Sequence, residues 1–283
     1  MKKYEILKKK KLADNVHEYE IYAPLVAKNA RPGQFIILRV DKEGERVPFT
    51  ICGYDKKLGT IKILVQTLGY STLKLSLKEE GDTLQDFVGP LGKPTDLSLY
   101  KNILLIGGGI GIAVIFPQAS YLNSIDKKAD VIIGARNREL LMYDGPLEKE
   151  AKNLYIMTDD GSYGEKGFVT AKLEELLKTK TYDVVMTVGP VMMMKAVCDI
   201  TKKANIKTII SMNSIMVDGT GMCGCCRVTV DGKTKYACVD GPEFDGHKVD
   251  FLEQRERGAY YKEQEQEAYC KLTGEIHKHK ENK

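Results

Sequence analysis

The chain has 283 residues, which is long enough for two domains that each bury a core of their own. Its 43 Lys and Arg against 39 Asp and Glu leave a formal net charge of +4, a balance that does not call for a nucleic-acid partner. No signal peptide is expected at the N-terminus, and the most apolar stretch, 103–116, is too short to span a bilayer. We therefore expect a cytoplasmic protein, which fits the scattered cysteines Cys52, Cys198 and Cys270.

Residues 1–98 are predicted to form a small antiparallel β-barrel. Short strand-like segments alternate there with turns that contain Gly and Pro, a pattern typical of such barrels. The clearest strands are predicted over 16–22, 34–40 and 60–66, and a short helix over 71–77.

Two segments of this domain contain side chains that suit a bound cofactor. In 46–51, Arg46 suits a phosphate and the hydroxyl of Thr50 suits a polar ring edge. In Gly69-Tyr-Ser-Thr72, a glycine and two hydroxyls open the predicted helix, where N–H groups favour an anion. Each pattern also has a simpler explanation, because a surface Arg beside a turn and a Ser or Thr helix cap are both common.

Residues 99–212 are predicted to form a doubly wound parallel α/β domain. A continuous apolar run over 102–106 is typical of a strand that is buried on both faces. The glycine-rich turn 107–111 and a helix over 112–122 follow, an arrangement that brings backbone N–H groups up to a pyrophosphate. Further strands are predicted over 131–134, 154–158, 184–188 and 206–211, and further helices over 169–177 and 193–204.

Ligands of such sheets bind at the carboxyl ends of the strands. Those ends carry 107–111, 159–161 and 189–192, and the residues that we single out there outside the first turn are Arg136, Asp160, Gly189 and Pro190. The first turn does not complete a G-x-G-x-x-G pattern, because Ala113 and Val114 follow Gly111. Met193 is expected to pack in the core.

The segment 213–248 is predicted to hold a [2Fe–2S] cluster. Plant-type clusters use Cys-x4-Cys-x2-Cys followed by a distant fourth Cys. Asp218, Cys223 and Cys226 reproduce both gaps, and eleven residues separate Cys226 from Cys238. Asp218 would be a hard oxygen ligand beside three soft thiolates. The small residues around these positions allow the loop to wrap closely and to point N–H groups at the sulfides.

Other interpretations of these cysteines are weaker. A structural zinc site usually has two separated ligand pairs, and a disulfide framework would need a pairing pattern that the chain lacks. Cys225 is the alternative to Asp218 as the ligand that completes the set with Cys223, Cys226 and Cys238. Neighbouring residues of an extended chain point in opposite directions, which disfavours Cys225 and Cys226 on one cluster.

Two further predictions concern the end of the chain. A hairpin over 227–230 and 236–239, turning at Asp231-Gly232, is predicted to bring Cys238 back towards Cys226. The charged remainder, 249–283, is predicted to be helical from 250 to 269, either as an appendage or as a strap onto a partner.

In this order the parts resemble the ferredoxin–NADP reductase superfamily, and within it the iron–sulfur electron-transfer subunits. The resemblance spans about residues 1–250 and is clearest over 86–94, 107–111, 158–164 and 236–244. Two groups of subunits are similar: those of class 1B dihydroorotate dehydrogenase, and the small subunits of NADH-dependent reduced ferredoxin:NADP oxidoreductase, which are also described as sulfide dehydrogenase-like. The first group uses four cysteines, whereas the Asp at position 218 resembles the second.

The resemblance implies specific cofactor contacts. The residues implied for FAD are Arg46, Pro48, Phe49 and Thr50, with its phosphates at Gly69, Ser71 and Thr72, and those implied for NAD(H) are Gly108, Gly109 and Gly111. Two departures from the superfamily pattern stand out. Arg46 lies one residue further from the Thr, and Val188 stands where a Cys often precedes the late Gly-Pro.

The resemblance also implies a function. The chain would exchange electrons with NAD(H) at FAD and pass single electrons through the cluster to a larger flavin and iron–sulfur subunit that handles NADP(H) and ferredoxin, as in electron bifurcation. No catalytic acid or base is implied, because hydride transfer needs none. The alternatives are the dihydroorotate dehydrogenase subunit, a redox-sensing protein without enzymatic activity, and a structural zinc adaptor.

Overall fold

Two antiparallel sheets form the first part of the chain. The computed structural model describes residues 2–281, with the backbone alone given for 275–281. The elements of this part are β1 (Ile6–Ala13), β2 (Val16–Tyr22), α1 (Pro24–Asn29), β3 (Phe35–Arg39), β4 (Arg46–Thr50), β5 (Gly53–Asp55), β6 (Thr60–Gln66), α2 (Tyr70–Ser76) and β7 (Asp86–Leu91). One sheet has the order β1-β2-β6-β5 and the other the order β4-β3-β7.

The core of this part lies between the two sheets. Alternate residues of β6, Ile61, Ile63 and Val65, point inwards because successive side chains of a strand face opposite sides. They meet Ile36 and Leu38 of β3, which is buried over most of its length. The predicted antiparallel β architecture is thus confirmed.

A parallel sheet with helices on both faces forms the second part. Its elements are β8 (Ile103–Gly108), α3 (Ile112–Ser124), β9 (Asp130–Ala135), α4 (Asp144–Glu150), β10 (Asn153–Thr158), β11 (Glu165–Lys166), α5 (Val169–Leu176), β12 (Val184–Val188), α6 (Val191–Lys203) and β13 (Lys207–Ser211). The strand order is β11-β10-β9-β8-β12-β13, and β16 (Glu243–Asp245) adds an antiparallel edge strand beside β13. This is the doubly wound arrangement that the sequence predicts.

The chain order reverses between β8 and β12, which lie side by side in parallel register. Strands β9 and β10 follow β8 on one side, and β13 follows β12 on the other. The carboxyl ends of β8 and β12 therefore meet at the switch point where doubly wound sheets bind ligands.

The last part consists of a hairpin and two helices. Its further elements are β14 (Arg227–Val230), β15 (Lys233–Tyr236), α7 (Phe251–Arg257) and α8 (Lys262–Glu281). The hairpin turns at Asp231 and Gly232, both with positive φ (54° and 68°), as in the two-residue turns that match strand twist. The second strand ends at Tyr236 and does not run over 236–239 as predicted, because the N–H groups of Val239 and Asp240 donate to the Tyr236 carbonyl and turn the chain.

The charged tail forms two helices and not one. A turn over 258–261 separates α7 from α8. Phe251 of α7 is buried in a core that it shares with Cys226 and Cys238, whereas α8 packs against α2 of the first part. Among the described residues, no helix combines the length and the apolar character that a membrane crossing needs.

Candidate functional site

Strand β4 presents the side chains that were predicted to face a flavin. It lies at the edge of the three-stranded sheet, and Pro48, Phe49 and Thr50 are all half-buried. Phe49 packs partly against the core of the first part. The strand therefore offers an apolar surface with one hydroxyl beside it, which suits the ring system of a flavin.

The start of α2 uses its two hydroxyls in different ways. The Thr72 hydroxyl caps the helix, since it accepts the Gly69 N–H at 3.0 Å and donates to the Gly69 carbonyl at 2.9 Å. The Ser71 hydroxyl donates to the Glu45 carboxylate at 3.1 Å. Gly69 faces open space, with no atom within 4 Å of the place where a Cβ would lie. A phosphate that displaced Glu45 would thus meet Ser71 and the open Gly69 backbone.

Two glycine turns meet at the carboxyl ends of β8 and β12. A Cβ on Gly111 would lie 2.2 Å from the Val188 carbonyl oxygen, so only glycine fits there. A Cβ on Gly108 would lie 2.4 Å from the Met193 sulfur. Met193 was predicted to pack in the core, and in the structure it is half-buried and packs against two cores from their edge. Gly109, at φ +53°, faces open space. This turn has the close backbone and the open side that a pyrophosphate requires.

Several polar residues cluster at the carboxyl ends of β9 and β10, and the sequence indicated only some of them. The Asp160 N–H donates to the Arg136 carbonyl at 3.3 Å, and hydrogen bonds from the Ser162 hydroxyl and N–H lower the pKa of Asp160. Sequence reasoning missed Arg138, whose guanidinium stacks on the Tyr163 ring at 4.4 Å and pairs with Asp144 at 3.1 Å.

The predicted cluster ligands lie in and near one loop, residues 217–226, which we call the cluster loop. The Cys226 and Cys238 sulfurs are buried and 3.2 Å apart, which is too far for a disulfide. The Ala237 N–H donates to the Cys226 carbonyl at 3.0 Å and fixes this pair. Burial, reinforced by the Cys226 thiol, raises the pKa of Cys238 to about 12.

The other two predicted ligands lie at the exposed end of the loop. The Asp218 carboxylate accepts the Thr220 N–H at 2.8 Å and the Thr220 hydroxyl, and these bonds lower the pKa of Asp218. Cys223 is exposed, and the N–H of Cys225 lowers the pKa of its thiol. The Cys225 thiol lies against Cys223 and thus remains near the ligands.

These residues fit a [2Fe–2S] cluster better than a single metal ion. Among the described residues no three His, Cys, Asp or Glu side chains are placed to hold one ion. A [2Fe–2S] cluster takes four ligands, two on each iron, so it calls for two pairs. Cys226 and Cys238, whose sulfurs lie side by side, would suit one such pair, and Asp218 beside Cys223 would suit the second.

The cluster loop packs directly on the first part of the chain. A Cβ on Gly219 would lie 2.6 Å from the Ile37 Cδ1 and 2.8 Å from the Leu91 Cδ1, atoms of β3 and β7. Arg46 of β4 donates from Nε to the Val217 carbonyl at 2.9 Å and from Nη2 to the Asp218 carbonyl at 3.3 Å. The guanidinium that was predicted to bind a cofactor phosphate is therefore engaged with this loop.

Residues 213–250 match the family described as the iron-sulfur cluster binding domain of dihydroorotate dehydrogenase B. A Thermotoga maritima protein, called a homolog of the dihydroorotate dehydrogenase B (NAD(+)) electron transfer subunit, is 44% identical and covers 96% of this chain and 97% of its own. An uncharacterised Clostridium beijerinckii protein is 47% identical over 98% and 97%.

A solved structure is similar along almost the whole chain. It belongs to the NADH-dependent reduced ferredoxin-NADP oxidoreductase, which was studied for flavin-based electron bifurcation. The matching chain is 43% identical with a TM-score of 0.92, and the match covers 96% of this chain and 99% of that chain.

Proposed function

The chain belongs to the family of dihydroorotate dehydrogenase B-type electron transfer subunits, and from this membership we propose that it passes electrons between NAD(H) and a larger partner subunit, with FAD and a [2Fe–2S] cluster as its cofactors. The observation that carries the proposal is the docking of the cluster loop on the sheet whose edge strand is β4. Both cofactors are thereby held by one rigid surface. When bound, the flavin supplies two-electron exchange with a nicotinamide and one-electron exchange with an iron–sulfur cluster.

The residues of the two sites have separate tasks. Pro48, Phe49 and Thr50 support the flavin ring, and Gly69, Ser71 and Thr72 surround its phosphates. NAD(H) binds over the paired glycine turns, and the residues of that site are Gly108, Gly109, Gly111, Arg136, Asp160, Gly189 and Pro190. The protein contributes orientation and exclusion of water, since hydride transfer requires no acid or base from it.

The cluster ligands are Asp218, Cys223, Cys226 and Cys238. Asp218 as the first ligand favours the ferredoxin-NADP oxidoreductase type over the dihydroorotate dehydrogenase type with its four cysteines. The larger partner would accordingly handle NADP(H) and ferredoxin. The second candidate, a dihydroorotate dehydrogenase subunit, has the support of the Thermotoga maritima relative's name. Identification of the partner that co-purifies with the tagged chain separates the two.

The experiment that tests the proposal is spectroscopic. The full chain is purified without oxygen, and its absorbance and low-temperature EPR spectra are recorded before and after addition of NADH. Flavin bleaching together with a reduced [2Fe–2S] signal is the expected result, and Asp218→Ala should alter that signal. A colourless protein that contains zinc would refute the redox function. Flavin without iron would leave a plain reductase.

A further inference from the structure

Arginine side chains from three separate elements donate to main-chain carbonyls of the cluster loop. The contacts are Arg46 of β4 to Val217 (2.9 Å) and Asp218 (3.3 Å), Arg227 of β14 to Gly224 (3.0 Å), and Arg257 of α7 to Cys225 (3.0 Å). Arg46 precedes Val217 by 171 residues in sequence, and Arg257 follows Cys225 by 32. No motif of the cluster segment indicates Arg46 or Arg257.

These contacts engage carbonyls of the same loop whose N–H groups act on its thiols. The N–H of Cys225 is directed at the Cys223 thiol, and the N–H of Gly221 at the Cys238 thiol. The Gly224 carbonyl and the Cys225 N–H belong to one peptide group, so Arg227 polarises the same group that donates to Cys223. Positive φ angles at Gly219, Gly221 and Gly224 (85°, 86° and 70°) permit this arrangement.

We propose that Arg46, Arg227 and Arg257 form an arginine brace that positions the cluster loop and favours the reduced state of the cluster, an inference that rests on the proposed function. Reduction moves one electron from the flavin to the cluster and forms or breaks no bond. It makes the cluster more negative, and nearby positive charge together with hydrogen bonds raises the potential of such a cluster.

Arg46 has a second task within the brace, because it alone belongs to the strand proposed to carry the flavin. Its two donors reach consecutive carbonyls, a fork that a Lys cannot reproduce. With Gly219 seated on Ile37 and Leu91, it sets the position of the cluster loop relative to β4. The three arginines are thus positioning residues for electron transfer and do not touch a substrate.

The test uses the full chain, purified without oxygen as Arg46→Gln, Arg46→Lys and Arg257→Gln. Arg255→Gln is the matched control, since Arg255 is exposed on the same helix and its replacement removes the same charge. FAD and iron content, the EPR spectrum after reduction with dithionite, and the cluster midpoint potential are measured for each variant.

We expect the FAD content to be unchanged and the equilibrium constant for reduction of the cluster to fall about tenfold in Arg46→Gln and Arg257→Gln, which is ~59 mV for one electron. The EPR line shape should change as well. Arg46→Lys keeps the charge and should show a smaller shift of the potential, and Arg255→Gln should match the wild type. Loss of iron from Arg46→Gln with FAD retained would support the positioning role by a second route.

Other outcomes would overturn the brace. If Arg46→Gln loses FAD and keeps an unaltered cluster signal, Arg46 serves the flavin phosphate. If the potentials and spectra of both Gln variants equal those of the wild type, the contacts have no role in electron transfer. A wild-type protein that lacks iron would refute the proposed function itself, which is a different failure from either of these.

Discussion

The carboxylate of Glu243 is buried, and neither of its oxygens has a hydrogen-bond partner among the described residues. Thr95 and the fully buried Gln118 are its polar neighbours, and a Cβ on Gly33 would lie 2.7 Å from Oε1. Burial raises the pKa of Glu243 to about 7. A carboxylate so far from water is stable mainly in its protonated form.

Glu243 should make the folded protein less stable as the pH rises. Between its ordinary pKa of 4.5 and about 7, the folded state holds a proton that the unfolded state has released. The free energy of unfolding therefore falls with pH across this window, by about 3 kcal/mol in total. Glu243→Gln keeps the shape without the charge, so its stability relative to the wild type should rise from pH 5 to pH 8.

Urea unfolding of the anaerobic protein at several pH values measures this difference. Glu174→Gln is the control, because Glu174 is exposed on α5 and its replacement should leave the pH dependence unchanged. If Glu243→Gln and the wild type keep a constant difference from pH 5 to pH 8, the carboxylate is not protonated in the folded state.

At the scale of elements, the glycine turn after β8 depends on the turn after β12. Gly111→Ala would press a methyl group against the Val188 carbonyl at 2.2 Å and force the two turns apart. We expect a loss of about 1–3 kcal/mol in stability, the usual effect of overpacking, and a raised KM for NADH. Gly145→Ala in α4, where a Cβ meets open space, should leave KM unchanged and the stability equal or slightly higher. An unchanged KM in Gly111→Ala would place the dinucleotide elsewhere.

Of the two terminal helices, α7 should be needed for iron binding and α8 should not. A chain ending at Gly258 keeps α7, whose Phe251 is buried beside the cysteines and whose Gln254 donates to the Arg227 carbonyl at 2.9 Å. We expect this chain to retain its iron. A chain ending at Val249 loses these contacts together with Arg257, and its iron content should fall. Iron analysis after anaerobic purification measures both, and equal iron in the two chains would mean that α7 plays no part in the cluster segment.

The local elements follow from sequence pattern more readily than the contacts between them. The strand over 184–188 and the glycine turn 107–111 are determined by apolar runs and by backbone freedom, which act within a few residues. The hairpin limb over 236–239 was wrong, since the turn after Tyr236 depends on hydrogen bonds that hydrophobic alternation does not encode.

The contacts of Arg46 and Glu243 could not be predicted for a different reason. Arg46 reaches Val217 only because the cluster loop packs on the three-stranded sheet β4-β3-β7. The burial of Glu243 depends on Gly33 and Gln118, which are distant in sequence. A single sequence shows neither partner. Periodicity reports which face of an element is apolar, and it carries no information about the polar groups that tertiary packing brings together.

On the scale of the whole molecule, the three parts share their cores. One apolar core joins Phe35 and Ile37 of β3 with Met194 and Ile210 of the α/β part and with Val228 of the hairpin. A second joins the outer side of the β part to the parallel sheet. Relative motion of the parts would disturb these cores, so we expect the cofactor sites to keep fixed distances.

A polar contact across the second core makes this rigidity testable. Tyr143 immediately precedes α4. Its hydroxyl donates to the Glu18 carboxylate of β2 and lies 3.9 Å from the Cys52 sulfur. Tyr143→Phe should cost about 1–3 kcal/mol and, by loosening the junction, slow the reduction of flavin by NADH in stopped-flow measurements. Tyr182→Phe is the matched control, because Tyr182 donates to Asp130 at 2.8 Å within the α/β part alone. Its stability should fall similarly while the rate stays at the wild-type value. Equal rates in the two variants would show that the Tyr143 contact stabilises the fold without setting the distance between the two sites.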